Sequence, residues 1–537
     1  MNLKEQLFQM RKILNSNLVN RIVKCISILM FSAIFLVLIV IDTKVQYNYK
    51  NEIKPDNYKC LLAILFVALL ASIIAIIIKK IVGTRIEKVK KVFDLIEKKS
   101  TWIIAILFIL LFIVQIIILQ NIYFETGWDL EHIFKAINQY VETGILEDKT
   151  YFAEYPYFSV YPNNLFLVTI FAVIGRIVVH FQYHGVYKAL VLLDIILVDL
   201  AGIVMVKTIE NFTNRKNLKI LGTLIFIAFI GLSPWFLVPY SDTYSILFPI
   251  SVLYCYTKKD KKWYHYLLIG LCSYIGYLIK PTSIIILIAI ILIECYKTIF
   301  KIKDKTNMKF VAKNGATIVL GIAIALILKM GVINIINYES EKEYTISFYH
   351  YLMMGINQDS TGAFSHEDII ASLSIRNYDE RVEYNKKTFV ERLKSLSFKD
   401  FCKFYTKKTL VNYNDGTLGW GREGDFYSTV NDKENKLANL LKDFYYNDGS
   451  LYYVFSDVMQ VIWIGILLLV MIGAILKKFD CNTTVAYLTL IGLTIFTLLF
   501  EARARYLYLY APYYIILAVI GIETIYKKYQ TIKDNKK

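Results

Sequence analysis

Residues 101–132 read TWIIAILFILLFIVQIIILQNIYFETGWDLEH, and the change of character near Asn121 decides how the rest of the chain is read. The first twenty residues are almost unbroken apolar side chains. At 1.5 Å per helical residue they match a hydrocarbon core of roughly 30 Å. Glu125, Asp129 and Glu131 follow at once, and residues 121–160 hold seven acidic residues against Lys135 and Lys149. Before the apolar run, residues 79–99 carry eight basic and three acidic residues. Cationic flanks stay on the cytoplasmic side of a membrane, so this span is expected to run from inside to outside.

Working outward, thirteen apolar segments of this kind lie between residues 22 and 525. The whole chain of 537 residues is 56% hydrophobic and 15% aromatic, against roughly 45–50% apolar in ordinary soluble proteins. Disordered and soluble classes are excluded. The formal charge of +17 comes from 61 basic and 44 acidic residues, and its excess clusters in short loops between spans, which is membrane orientation and not a nucleic-acid surface. The seven cysteines are scattered without a CxxC pair, so neither a disulfide framework nor a zinc site is expected. The first span ends in Ile41-Asp42-Thr43-Lys44 without a small-residue cleavage site and reads as a retained anchor. Before it, Leu3, Leu7, Met10, Leu14 and Leu18 recur at helical spacing between cationic residues, giving an inner-leaflet amphipathic helix over residues 1–21.

Thirteen crossings would put some basic loops outside. If the segment at 163–179 is only half inserted, twelve crossings remain, every basic loop falls inside, and both termini are cytoplasmic. The expected fold is therefore an all-α polytopic membrane protein of about twelve transmembrane helices plus a half-inserted helix, with an extracytoplasmic, mainly helical cap. Residues 22–334 form the N-terminal transmembrane region with an outer loop at 121–162. Residues 335–454 form the extracytoplasmic domain, being too long for an idle loop, and residues 455–537 the last helices and a basic tail.

This arrangement gathers polar residues on one face. Asp129 begins an amphipathic helix carried by Leu130, Ile133, Phe134, Ile137 and Val141. A carboxylate there can cap the helix and also act as a base. Tyr161-Pro162-Asn163-Asn164 leads into the dipping segment, where Pro162 suits a helix start and the two amides are candidate hydroxyl or phosphate donors. Pro239-Tyr240-Ser241-Asp242 makes a polar turn whose carboxylate can orient an acceptor or hold a cation. Lys280, directly before Pro281, and Arg503 and Arg505 at the head of the last span are cations on the outer side, against the rule the other loops obey. Arginine is the natural bidentate phosphate ligand, although anchoring at the interface or pairing with Glu501 would also explain these positions. No HExxH, GxxxxGK[ST] or GxSxG pattern occurs, so no metal site, cofactor, nucleotide donor or serine hydrolase is expected.

The order of these motifs, with the C-terminal Glu501-Ala-Arg-Ala-Arg505-Tyr, resembles the GT-C superfamily of integral membrane glycosyltransferases over about residues 100–525, and within it the bacterial relatives of protein mannosyltransferases and aminoarabinose transferases. His350-Tyr-Leu-Met-Met-Gly355 and Asp415-Gly-Thr belong to the same likeness. The resemblance implies transfer of a sugar, with inversion, from a polyprenyl-phosphate-linked donor to an extracytoplasmic acceptor, which would be a glycan, a teichoic acid, a lipid or a protein. Asp129 would be the general base, Lys280, Arg503 and Arg505 would hold the donor phosphate, and Asp242, Glu131, Asn163, Asn164 and His350 would support or position the acceptor. It also implies functional links to a lipid-sugar synthase and a flippase. Some relatives carry an Asp-Glu pair or bind a divalent metal, whereas this chain has Trp128-Asp129-Leu130-Glu131. A polysaccharide polymerase or ligase would share the spans and outer arginines without needing the base at Asp129. A secondary transporter or lipid flippase would use Asp194 and Asp199, which lie within a span.

Overall fold

The computed structural model describes residues 18–41, 56–81, 94–146, 150–151, 155–181, 185–301, 305–336, 338–423, 427–430 and 435–535. The architecture is an all-α polytopic bundle. Among the described residues nine helices are long and apolar enough to cross a membrane, from Leu18–Ile41 to Ala504–Asp534. The amphipathic N-terminal helix expected at 1–21 lies outside the described residues up to position 17, and residues 18–21 already belong to the first long helix.

Two expected spans are broken in instructive ways. Residues 218–238 divide into a helix at Lys216–Phe226, a wider turn at Ile227–Gly231 and a short tight helix at Pro234–Leu237. Residues 243–257 divide into Ser241–Ser245 and Leu247–Thr257. The segment expected to dip, Pro162–His180, is itself 19 residues long and meets the crossing criteria of length and composition.

Proline sets the breaks at the end of the bundle that matters here. The Trp263–Ile279 helix stops because Lys280 precedes Pro281, and a residue before proline is pushed out of helical conformation. Lys280 is accordingly extended, at φ −143° and ψ 113°, and Pro281 opens the next short helix. Pro239 has the same effect on Val238, which is extended at φ −115° and ψ 95°, and Tyr240 is extended before Ser241–Ser245. Arg503 is extended between the Cys481–Leu499 helix and the tight turn Ala504–Tyr510.

Over this end sits a helical cap. Its helices Phe348–Gly355, His366–Leu373, Tyr378–Ser395 and Phe398–Tyr413 start where Ser and Asn side chains can take the free amides of a first turn. Ser365, Asn377 and Ser397 each accept such bonds. Arg392 clasps both Asp368 oxygens, at 2.9 and 2.7 Å. The cap is tied to the bundle by buried donors. Lys408 Nζ donates to the Phe500 carbonyl at 2.6 Å and to that of Gly355, and Asn412 donates to Thr497 at 3.1 Å. A short antiparallel ladder joins Phe124–Thr126, just before Asp129, to Tyr427–Val430, just after Glu423.

Below, helices touch backbone to backbone through glycine, as expected where no hydrophobic drive separates helix from lipid. A methyl on Gly270 would lie 2.0 Å from the Ile318 oxygen, and one on Gly321 2.2 Å from the Leu267 oxygen, whereas Gly315 on the same helix meets nothing within 4 Å. Gly321→Val should therefore cost about 3 kcal/mol or abolish folded protein, and Gly315→Val should leave melting in detergent unchanged. A second outcome concerns Lys408, whose ammonium burial pushes down to about 7. The unfolded lysine titrates near 10.4, so the unfolded state binds more protons above pH 7 and this residue makes stability rise with pH. The rise should be on the order of 2 kcal/mol between pH 7 and 9. Unfolding of Lys408→Met across that range should lack this part of the slope.

Candidate functional site

Six stretches far apart in the chain converge at the capped end of the bundle: the start of the Trp128–Thr143 helix, residues 157–164, residues 240–242, Lys280, Glu423 and residues 501–506. Asp242 is at the centre, where it pairs with Lys280 at 2.5 Å and with Arg505 Nε at 3.2 Å. Arg505 reaches on to Glu423 at 3.0 Å. Arg503 meets Glu423 at 3.6 Å and Glu501 at 2.6 Å, and Tyr506 donates to the other Glu501 oxygen at 2.7 Å. Three cations thus alternate with three carboxylates, all buried or nearly so. Arg503 is the most accessible cation of the three, with 18% of its side chain exposed against 4% for Arg505.

Aromatic rings wall this network. The Arg505 guanidinium stands 5.0 Å from the Tyr240 ring centroid and 5.8 Å from that of Trp235, and Lys280 lies 4.6 Å from the Tyr506 ring. Glu423 is delivered by a turn in which Asp415 accepts from the Thr417 and Gly419 amides at 2.8 and 3.0 Å. Gly419 has φ +88°, and a side chain there would crowd the Arg505 backbone nitrogen at 3.2 Å, so glycine is needed on both counts.

Asp129 approaches from the side. It is the second residue of its helix and not the cap, a position Gly127 occupies, so its charge faces the positive end of the helix dipole. Tyr240 donates to its Oδ2 at 2.9 Å. The Tyr157 phenol also bonds to Asp129, while Tyr157 accepts from Asn164 Nδ2 at 2.7 Å and stacks on the His132 ring at 5.1 Å. Burial, reinforced by the Asp129 charge, holds both phenols well above their ordinary range, so each remains a neutral donor. One tyrosine ring therefore separates the Asp129 carboxylate from the Arg505 guanidinium.

Burial also governs the ion network. It pushes the Lys280 ammonium down, with Asp242 pulling the other way, and lifts the Glu423 carboxyl in spite of Arg505 and Arg503. At Glu501 burial pushes up, but Arg503 and the Tyr506 hydroxyl outweigh it and the carboxyl ends below its usual range.

Of the residues singled out from sequence, Asp129, Asp242, Lys280, Arg503, Arg505 and Asn164 come together. Glu131 does not: it turns outward to pair with Lys135 one helical turn on. Asn163 is exposed and donates to Asn164 Oδ1 at 3.1 Å. His350 is fully buried in the cap, bonded to Ser372 Oγ at 2.8 Å, where burial pushes its imidazole down to about 4. Glu423, Tyr157 and Tyr240 were not singled out. The sequence signal for Glu423 was a carboxylate in the glycine-flanked Trp420-Gly-Arg-Glu-Gly424. Among the described residues no group of three or more His, Cys, Asp or Glu side chains is disposed to hold a metal ion.

The family model described as "Conserved hypothetical integral membrane protein" matches residues 18–526, and the chain belongs to that family. No curated protein and no solved structure matches the chain.

Removing one partner of a buried ion pair strands the other charge, at a cost of about 3–5 kcal/mol. Asp242→Asn, which strands Lys280 and leaves Arg505 with Glu423, should lie in that range in unfolding measurements. Tyr240→Phe, which loses one hydrogen bond to a carboxylate, should cost about 1.5–3 kcal/mol.

Proposed function

We propose that this member of the conserved hypothetical integral membrane protein family is a membrane glycosyltransferase, moving a sugar from a polyprenyl-phosphate-linked donor to a hydroxyl of an extracytoplasmic acceptor. The observation that carries the reading is the adjacency of Asp129 to Arg505 across Tyr240, with Arg503 and Lys280 in the same network. A base and a set of cations from opposite ends of the chain meet at one rim of an apolar bundle.

In the proposed reaction the acceptor O–H gives its proton to an Asp129 oxygen as the acceptor oxygen attacks the anomeric carbon from the face opposite the phosphate. The bond from that carbon to the phosphate oxygen breaks, and polyprenyl phosphate leaves with the electron pair. The anomeric centre inverts. Fixed positive charge at the leaving oxygen lowers the barrier in a water-poor site. Arg503 is the cation suited to this, since its contact with Glu423 is the longest in the network and its side chain the most accessible. Lys280 and Arg505, locked on Asp242, hold the frame. The Tyr157 and Tyr240 hydroxyls aim the Asp129 lone pairs. A lipid donor brings its own apolar tail, which suits a site at the edge of membrane-spanning helices.

The charge asymmetry of the loops supports an orientation with both termini cytoplasmic, about twelve crossings and the ion network on the outer face. A carrier is the second reading, favoured by Asp194. This carboxylate is fully buried within the Val186–Phe212 helix and makes no ion pair among the described residues. Charged groups inside a membrane often mark translocation paths.

The test is sugar release or transfer from a radiolabelled polyprenyl-phosphate-linked donor by the purified chain, with and without EDTA. Wild type should turn over in both conditions. Asp129→Asn should lose at least about a hundredfold, the scale of removing a general base, and Arg503→Met should lower kcat more than it raises KM. Full activity of a folded Asp129→Asn protein would overturn the base assignment and favour a polymerase or ligase. Absence of any turnover by wild type, with lipid or substrate movement across vesicles, would favour the carrier.

A further inference from the structure

A second polar site lies at the opposite end of the bundle. The Leu247–Thr257 and Trp263–Ile279 helices form a hairpin whose distal ends lead to Asp242 and Lys280. The 17 residues of the second helix separate its turn from the ion network by about 25 Å. That turn reads Lys258-Lys259-Asp260-Lys261-Lys262, four cations and one carboxylate. Between it and the Val186–Phe212 helix lies an open cavity of about 550 Å³, lined by Lys258, Lys262, His265 and Tyr254 at its polar end and by Val204 and Leu268 along its apolar side. Asp260 sits at the rim and is exposed.

His265 shows what the cavity lacks. The residue is only 6% exposed, and its Nδ1 accepts the Lys262 backbone N–H at 2.9 Å, closing the first turn of the helix. An imidazole that accepts at Nδ1 carries its proton on Nε2. No acceptor for that N–H is found among the described residues, and His265 lines the cavity. Lys258 spends one of its three N–H bonds on Tyr254, at 3.1 Å, and has two left. A donor that opens on the cavity, two ammonium groups and a helix N-terminus therefore face one space, which fits an anion with several oxygens. Its other wall is apolar and opens beside Leu268, which is 37% exposed. Trp263 and Tyr264, at the start of the same helix, are both exposed, and indole and phenol rings favour a membrane surface.

We propose that this cavity binds the phosphodiester headgroup of an anionic membrane lipid, the phosphate oxygens taking the His265 Nε2–H and the Lys258 and Lys262 ammonium groups while an acyl chain leaves past Leu268. Basic pockets between membrane helices are suited to such headgroups. Free phosphate would satisfy the same donors but would leave the apolar wall bare.

The test is the melting temperature of the full chain in dodecylmaltoside, titrated separately with phosphatidylglycerol, phosphatidylcholine and inorganic phosphate. Phosphatidylglycerol should raise it saturably and the other two should not. In His265→Asn the amide can still accept the Lys262 N–H, but the Nε2 donor is gone, and half-saturation should need at least five times more lipid. The double change Lys258→Gln with Lys262→Gln should need at least ten times more. Unchanged half-saturation in both variants, or no response of wild type to phosphatidylglycerol, would overturn the proposal. Inorganic phosphate matching phosphatidylglycerol would overturn the lipid as occupant.

Discussion

Charge neutrality inside a medium that does not solvate ions is the constraint on which the capped end of this molecule rests. Lys280, Arg503 and Arg505 cannot be buried alone, because the desolvation of each would exceed the gain from packing around it. Asp242, Glu423 and Glu501 match them one for one. The match fixes where four chain segments end, since each break that feeds the network must deliver its charge within ion-pair reach of the others. The proline at 281 and the extended backbones at Tyr240 and Arg503 are local consequences of that demand. The cap is held by the same logic at lower charge, through lysine and asparagine donors on bundle carbonyls.

A balanced network is also a poor anion trap until something yields. Six charges that cancel leave little field for an incoming phosphate. Asp129, lying just outside the cancelling set and bonded to neutral phenols, adds one more negative charge. In the proposed transfer the accessible Arg503 would exchange a carboxylate for the ligand, since its pairs are with Glu423 and Glu501 and leave Asp242 covered.

Much of this was legible in the sequence, and the reasons differ by residue. The apolar spans were legible because twenty-residue runs leave no soluble alternative. Lys280, Arg503 and Arg505 stood out because they break the orientation rule, and an exception to a strong rule is informative. Asp242 stood out because it sits in a turn flanked by apolar helices. Glu131 is read from sequence as a supporting carboxylate beside Asp129, yet two helical positions are about 200° of rotation, and the Lys135 four residues on draws it to the exposed face. Glu423 lay in a loop whose fold depends on partners across the whole chain. Tyr157 and Tyr240 were hidden by abundance, for 41 tyrosines leave no single one conspicuous. The broken spans at 218–238 and 243–257 were read as continuous because hydropathy records composition and not the backbone turns that bring polar groups to the rim.

The hairpin that carries Asp242 and Lys280 also sets an order of events at the ribosome. These two charges are made within forty residues of each other and can cancel as soon as their helices enter the bilayer. Arg505 arrives more than two hundred residues later, a delay on the order of ten seconds or more at usual elongation rates. The early pair lets a half-made chain wait in lipid without a naked ion. The late arginines then convert a simple couple into the finished rim, and a polypeptide that stops short of its last helices leaves Glu423 without its cationic partners.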